Sequence, residues 1–536
     1  MKKIASIALA LAVAIAAASA QERDYIYTNP VAPPRDALER LNLKTGWTAV
    51  VDTESKRDGI ATIQLTGRLL LIQTRSGLVT ALDAENGQTR WRTRVGRSYQ
   101  RVLPLAFNRK SVFVVNGTNI YGLDRETGGK SWEMNLPEGV TSPPVAGDFQ
   151  LYIGFSTGRL SAYLLPAGEQ AAGGAGSSSE MASYLRGEEL EQAYPSGTTA
   201  NLPLLAWQTL TRARLEWAPV MGPAGIMYAS PTGEVFTYEK FPIKERRATQ
   251  LYRYQLTDGP IPVSLGQYEG TAYIGATDSN LYAVNIDTGA VNWRFTAGTT
   301  ILRRPIATEK DVFVVAEKLG LARLDRLTGD PVWRLPRGNV TYPANQEAVR
   351  FLAANPKFVY ANDAAGRLLV LDRQTGIRLS SYEAIRDFPI LLSNGINDRL
   401  YLGANNGLIV CLHDRDYPVP FRHVRGEERA IDPQQAEVET KLDKLITDPG
   451  QEPAAISTVL KDLLGEKNGN IKFLISENAF KEAGMFGFED RKAAIPKVTS
   501  VPLRDVLRRV LASVDATYQV IKDTVLVYPL TKKATP

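Results

Sequence analysis

From residue 41 onward the chain is written in short apolar runs, each bounded by glycine, asparagine or aspartate. The runs come in pairs: 69–73 with 78–82, 112–115 with 120–123, 151–155 with 160–164, and 226–229 with 234–238. They continue as 272–275 with 281–284, 312–316 with 321–324, 358–361 with 368–371, and 400–403 with 408–412. Runs this short, rich in β-branched and aromatic residues and closed by turn formers, predict strands joined as hairpins. The pairs recur at about forty residues, with one interval nearly double, which is the length of a four-stranded, WD40-like propeller blade.

A second pattern runs in phase with the first. Leu82-Asp83 is followed by Gly87 and Trp91, Leu123-Asp124 by Gly128 and Trp132, and Leu324-Asp325 by Gly329 and Trp333. Val284-Asn285 with Gly289 and Trp293 is a looser copy, and Leu371-Asp372 with Gly376 carries Ser380 where the tryptophan would fall. The spacing predicts strand, tight turn, strand. An Asp or Asn side chain accepts from turn amides, a glycine takes positive φ, and the tryptophan heads the returning strand. These repeats resemble the pyrroloquinoline-quinone-type (PQQ-like) β-propeller family over residues 41–424. That family includes quinoprotein alcohol dehydrogenases and the propeller scaffold lipoprotein of outer-membrane barrel assembly, so the resemblance implies a propeller and leaves enzyme and scaffold both open.

Eight hairpins predict eight blades, with seven the alternative because the hairpin at Ile226 is the weakest copy. Residues 41–51, with Gly46-Trp47, read as the back half of a repeat, and the last hairpin lacks such a half. The N-terminal strand is therefore expected to complete the final blade and remove an open sheet edge. Residues 166–202, with Ala-Gly-Gly-Ala-Gly-Ser-Ser-Ser, read as a flexible insertion between blades.

Outside the repeats the text changes. Lys2 and Lys3, an apolar run over 4–17 and Ala18-Ser19-Ala20 read as a signal peptide over 1–20, and the proline-rich 21–40 as an extended leader. Residues 425–450 read as a charged linker. Beyond them, Ile456, Val459, Leu460, Leu463 and Leu464 have helical spacing, as do Leu503, Val506, Leu507, Val510, Leu511 and Val514. With strands over 471–475, 517–521 and 524–528, they predict a small α+β domain over 451–530. Residues 501–507 and 518–527 resemble the short N-terminal domain of secretins and TonB-dependent receptors. That resemblance implies protein contacts.

Composition narrows the function. A formal charge of +6 spread over 536 residues, with no basic cluster, disfavours nucleic acid as partner. The single cysteine excludes a disulfide framework, and no run after the leader is long enough to span a membrane. Asp83, Asp124, Asp325 and Asp372 read as turn formers, because equivalent positions in different blades cannot converge on one ion. Trp91, Trp132, Trp293 and Trp333 read as packing between blades, and Trp207 and Trp217 fall outside the best copies, with a groove as the alternative to core packing. His413, His423 and Cys411 are too few for a zinc site, and no nucleophile elbow is present.

No catalytic, cofactor or metal residue is therefore assigned. The quinone enzymes of the resembling family carry adjacent cysteines, which this chain lacks. The expected function is a non-enzymatic exported scaffold of the periplasm that binds other envelope proteins through its propeller faces and C-terminal domain. The alternatives are a quinone-dependent dehydrogenase and a carbohydrate-binding or polymer-acting propeller.

Overall fold

The computed structural model describes residues 30–54, 58–147, 150–166, 202–240, 248–337, 340–383, 385–423, 438, 441–442, 444–476, 480–481, 485–521 and 524–529. The expected signal peptide, most of the 166–202 insertion and residues 425–437 of the expected linker lie outside them. Among the described residues eight four-stranded antiparallel sheets follow one another along the chain. We number these blades 1 (60–94), 2 (106–135), 3 (145–210), 4 (220–255), 5 (266–296), 6 (306–345), 7 (348–382) and 8 (390–414 with 43–50). The eight-bladed all-β propeller is thus the observed fold, and the hairpin at Ile226 is a full blade. First strands of neighbouring blades, such as Ala106–Phe107 and Val145–Ala146, meet around the axis.

The hydrophobic pattern follows from this stacking. The second and third strands of a blade are covered on both faces by adjacent blades, so Leu69–Thr74 and Leu78–Asp83 are buried throughout and read as continuous apolar runs. The fourth strand lies at the rim, and Thr89–Arg94 buries Trp91 while exposing most of the rest.

Closure occurs where expected. Leu43–Val50 pairs antiparallel with Leu408–Asp414, from Leu43 opposite Asp414 to Val50 opposite Leu408, so the N-terminal strand is the rim of blade 8. The preceding stretch is not wholly extended. Arg35–Arg40 is a short helix started at Pro34, and it lays Leu38 into the core between blades 7 and 8. Proline suits a helix start, and the buried Leu38 holds a turn too short to persist alone.

The 166–202 segment falls inside blade 3, not between blades. Arg159–Leu164 pairs directly with Leu204–Leu210, with Leu164 opposite Leu204. The fourth strand is resumed after the insertion because Trp207 stands opposite Ala162, as Trp91 stands opposite Ala81 in blade 1. Blade 6 carries a smaller excursion: the hairpin of Leu335–Arg337 and Val340–Tyr342 separates Trp333 from the short fourth strand Ala344–Asn345.

After the propeller, the helices Ile456–Leu464 and Leu503–Ala512 pack their apolar stripes beside a sheet in the order Lys472–Ile475, Thr524–Pro529, Ala516–Ile521. Leu445–Asp448, which falls within the stretch read as linker, is a strand paired with Val498–Pro502. Its alternation was too short to stand out, and the partner strand decides it. The hydrophobic core of this α+β unit is continuous with Trp207, Tyr228 and Tyr238 of blades 3 and 4. At that seam Arg509 Nη1 lies 2.7 Å from Glu239 Oε1, both side chains being largely buried. Burial raises the Glu239 pKa, and the arginine charge opposes the shift.

Candidate functional site

The repeat residues are absorbed by the ring. Asp83 Oδ1 accepts from the amides of Glu85 and Asn86, Asp124 from Glu126 and Thr127, Asp325 from Leu327 and Thr328, and Asp372 from Thr375. Each carboxylate closes its own turn. The next blade's turn then receives the tryptophan: Trp91 Nε1 donates to Arg125 O at 2.7 Å, Trp293 to Arg326 O at 3.0 Å, and Trp333 to Arg373 O at 2.9 Å. Trp47 makes the same bond to Ala84 O at 3.0 Å, and so completes the circuit from blade 8 to blade 1. In every case the acceptor is the residue after the turn aspartate.

The turn glycine has two reasons to be glycine. Gly87, Gly128, Gly329 and Gly376 have φ near +70°, and a Cβ on each would overlap the indole of Trp47, Trp91, Trp293 and Trp333 respectively. Two members of this circuit escaped sequence reasoning. Trp207 is fully buried and donates to Lys240 O at 3.0 Å, the residue after Glu239, which stands where other blades have the turn aspartate. Tyr252 replaces the tryptophan in blade 4, donating to Ile286 O at 2.7 Å and covering Gly289. The long insertion put Trp207 out of phase, and a tyrosine among many offers no signal without the ladder register. Trp132 is buried beside Phe113, and Trp217 is half-buried and donates to Ile261 O.

The remaining chemical candidates are locked in the fold. Cys411 is buried opposite Trp47, and burial pushes its thiol up to about 12, far from a thiolate. His423 Nε2–H donates to Ala354 O at 2.7 Å, and burial pushes its pKa down to about 4, so the ring is neutral. His413 is likewise shifted down by burial, with Nδ1 2.8 Å from Asp414 O. Among the described residues no three His, Cys, Asp or Glu side chains are placed to share a metal ion.

Outside the repeat, a further surface lies near the axis, beside the innermost strands of blades 1 and 8. A shallow depression of about 350 Å³ is lined by Ile60, Ala61 and Ile390 of the innermost strands and by Arg75, Tyr99, Gln100 and Val102. The backbone of Tyr99 is left-handed, φ +61°, and is held there by donation of its amide to Arg75 O at 2.8 Å. The aromatic side chain stays 55% exposed. A left-handed backbone at a bulky residue is strained by roughly 1–3 kcal/mol, and such strain gathers at contact sites. Tyrosine and arginine over an apolar floor form the side-chain set that anchors protein interfaces.

Residues 36–261 and 246–388 match the family described as outer membrane protein assembly factor BamB. Among solved structures, BamB from Moraxella catarrhalis aligns with 72% of this chain and 99% of its own, at 13% identity and a TM-score of 0.48. The computationally designed Ika8 protein aligns with 69% and 99%, at 13% identity and a TM-score of 0.48. The WD40 domain of Neurospora crassa Pan2 aligns with 72% and 98%, at 11% identity and a TM-score of 0.42. No curated protein sequence matches significantly.

Proposed function

This chain belongs to the outer membrane protein assembly factor BamB family, and from that premise we propose that it is a non-enzymatic scaffold of the cell envelope. In this reading its propeller holds a protein partner of outer-membrane assembly at the mouth of the axial channel. The observation that carries the reading is the division of labour within the repeat. The aspartates, glycines and tryptophans that recur are spent on turns and on the seams between blades, whereas the exposed, strained Tyr99 lies outside that repeat. An exported location is part of this reading, supported by the family and by the expected leader over residues 1–20. The C-terminal α+β unit, docked on blades 3 and 4, is proposed as a second contact surface for envelope proteins.

The test is capture of envelope proteins by the full chain and by the Tyr99→Ala and Arg75→Ala variants. Loss of a buried interface anchor costs about 2 kcal/mol or more, so retention of a true partner should fall at least tenfold. An unchanged partner set with both variants would overturn the role of the channel mouth. Retention of a quinone in stoichiometric amount would overturn the scaffold reading itself.

A further inference from the structure

Blade 8 releases a stretch of chain that the earlier blades keep in their sheets. In blade 1 the third strand turns into the fourth, Leu78–Asp83 into Thr89–Arg94. Blade 8 takes its fourth strand from Leu43–Val50, so the residues after Asp414 have no place in its sheet. They cross the face that carries the turn aspartates. His423 N–H donates to Ile396 O of blade 8 at 2.8 Å, and His423 O accepts from Glu309 N–H of blade 6 at 3.3 Å.

On the way the chain forms an arch with fixed feet. Arg399 Nη1 donates to Tyr417 O at 2.9 Å and Nη2 to Pro418 O at 2.6 Å. Asp398 Oδ1 accepts from Phe421 N–H at 3.0 Å, and Asp398 N–H donates to Phe421 O at 3.0 Å. Arg399 and Asp398 also pair with each other at 3.2 Å, and both side chains are buried. Burying two charges is costly. A stretch that merely led away from the ring could give its carbonyls to water, so the buried pair maintains a shape. The top of that shape is apolar: Val419 is 77% exposed, and Phe421 is 37% exposed with its ring edge-on to His423. Exposed Arg415, Asp416 and Arg422 flank it. Pro418 and Pro420 fix their own φ and restrict Tyr417 and Val419 before them, so the arch has little conformational freedom left to lose on docking.

We propose that the arch over residues 418–421 is a docking knob, which inserts Val419 and Phe421 into an apolar pocket on another protein of the envelope. An apolar tip within a charged rim has the anatomy of an interface centre. One valine and one phenylalanine bury too little apolar surface to hold a membrane. A closed twofold dimer would set this convex patch against itself, so the shape calls for a concave pocket on a different protein. The knob is a second surface, distinct from the depression at Tyr99. Asp398 and Asp414 stand at one end of the blade 8 strands and the turn at 404–407 at the other. At that other end Gly59 packs against Asn405 and accepts from Arg75 N–H at 3.0 Å, which places Arg75 and Tyr99 on the opposite face. The inference rests on the scaffold reading and adds a second surface and the shape of its partner.

The experiment is site-directed cross-linking with the full chain. The native Cys411 is buried, so a benzophenone maleimide labels the Val419→Cys variant at the knob alone. Leu327→Cys, 72% exposed in a blade 6 turn, is the control. Irradiation with detergent-solubilised envelope proteins should give a discrete adduct from position 419 and none from position 327. That adduct should fall roughly tenfold when Phe421→Ser is added, and equally with excess cyclic peptide of residues 415–422. Absence of an adduct, the same adducts from both positions, or an adduct that the peptide leaves untouched would each overturn the knob. Cross-linking to a second copy of this chain would overturn the choice of partner, as would binding to phosphatidylethanolamine–phosphatidylglycerol vesicles that Phe421→Ser abolishes. The two readings fail separately. Stoichiometric retention of a quinone sinks the scaffold, whereas partner loss in Tyr99→Ala without an adduct at position 419 sinks the knob alone.

Discussion

At the scale of single residues, the fold depends on a reciprocal fit between one blade's indole and the next blade's turn glycine. Trp91 gives up its Nε1–H to Arg125 O and lays its ring over Gly128, whose φ is +69°. Truncating the indole should cost about 3–5 kcal/mol through lost burial and an open cavity. A Cβ at Gly128 should cost about 2–4 kcal/mol, because left-handed backbone and overlap with the ring act together. The expected outcome for Trp91→Ala with Gly128→Ala is a double variant more stable than the two losses predict, since removing the indole relieves the overlap. Urea unfolding of the four proteins measures this coupling, and strict additivity would show that the ring and the glycine do not compete for space.

At the scale of elements, the N-terminal strand is the piece on which ring closure turns. Leu43–Val50 covers the third strand of blade 8 and supplies Trp47, the link from blade 8 to blade 1. Without it, the edge of Leu408–Asp414 and the apolar floor over Tyr401 and Cys411 are open to solvent. Open edges of this kind pair with other chains. A chain beginning at residue 51 should therefore self-associate at micromolar concentration, and a synthetic peptide covering 30–54 should return it to a monomer. Light scattering with and without the peptide reads both. The 166–202 segment has no such role, because Leu164 and Leu204 already face each other across its ends.

At the scale of the whole molecule, among the described residues the C-terminal unit is joined to the propeller through a continuous apolar core and the Arg509–Glu239 pair. Arg509 reaches Glu239 at 2.7 Å, and Glu239 occupies the position that aspartate holds in the turns of blades 1, 2, 6 and 7. The carboxylate that closes a turn elsewhere has become an interdomain contact. Breaking one side of a largely buried pair strands the other charge, at a cost of about 3–5 kcal/mol. Arg509→Ala should loosen the unit from blades 3 and 4 and speed its proteolysis, while the propeller's own unfolding midpoint holds. Equal loss of both would show that the two parts unfold as one.

The architecture was legible in the sequence because a propeller repeats one local solution, and repetition makes a weak strand signal unmistakable. Turn aspartate, left-handed glycine and strand-heading tryptophan are decided by neighbours within a few residues, so the chain itself carried them, together with the half-repeat at Trp47 and the two C-terminal helices. The helix at Arg35–Arg40, the strand at Leu445–Asp448, the place of Trp207 and the substitution of Tyr252 were decided only by tertiary contacts. Each depends on a partner distant in sequence, whose presence no local pattern announces. The channel belongs to the same class. Tyr99, Arg75 and Ile390 are ordinary residues in the text, and only closure of the ring sets the first two, at blade 1, beside the third, in blade 8.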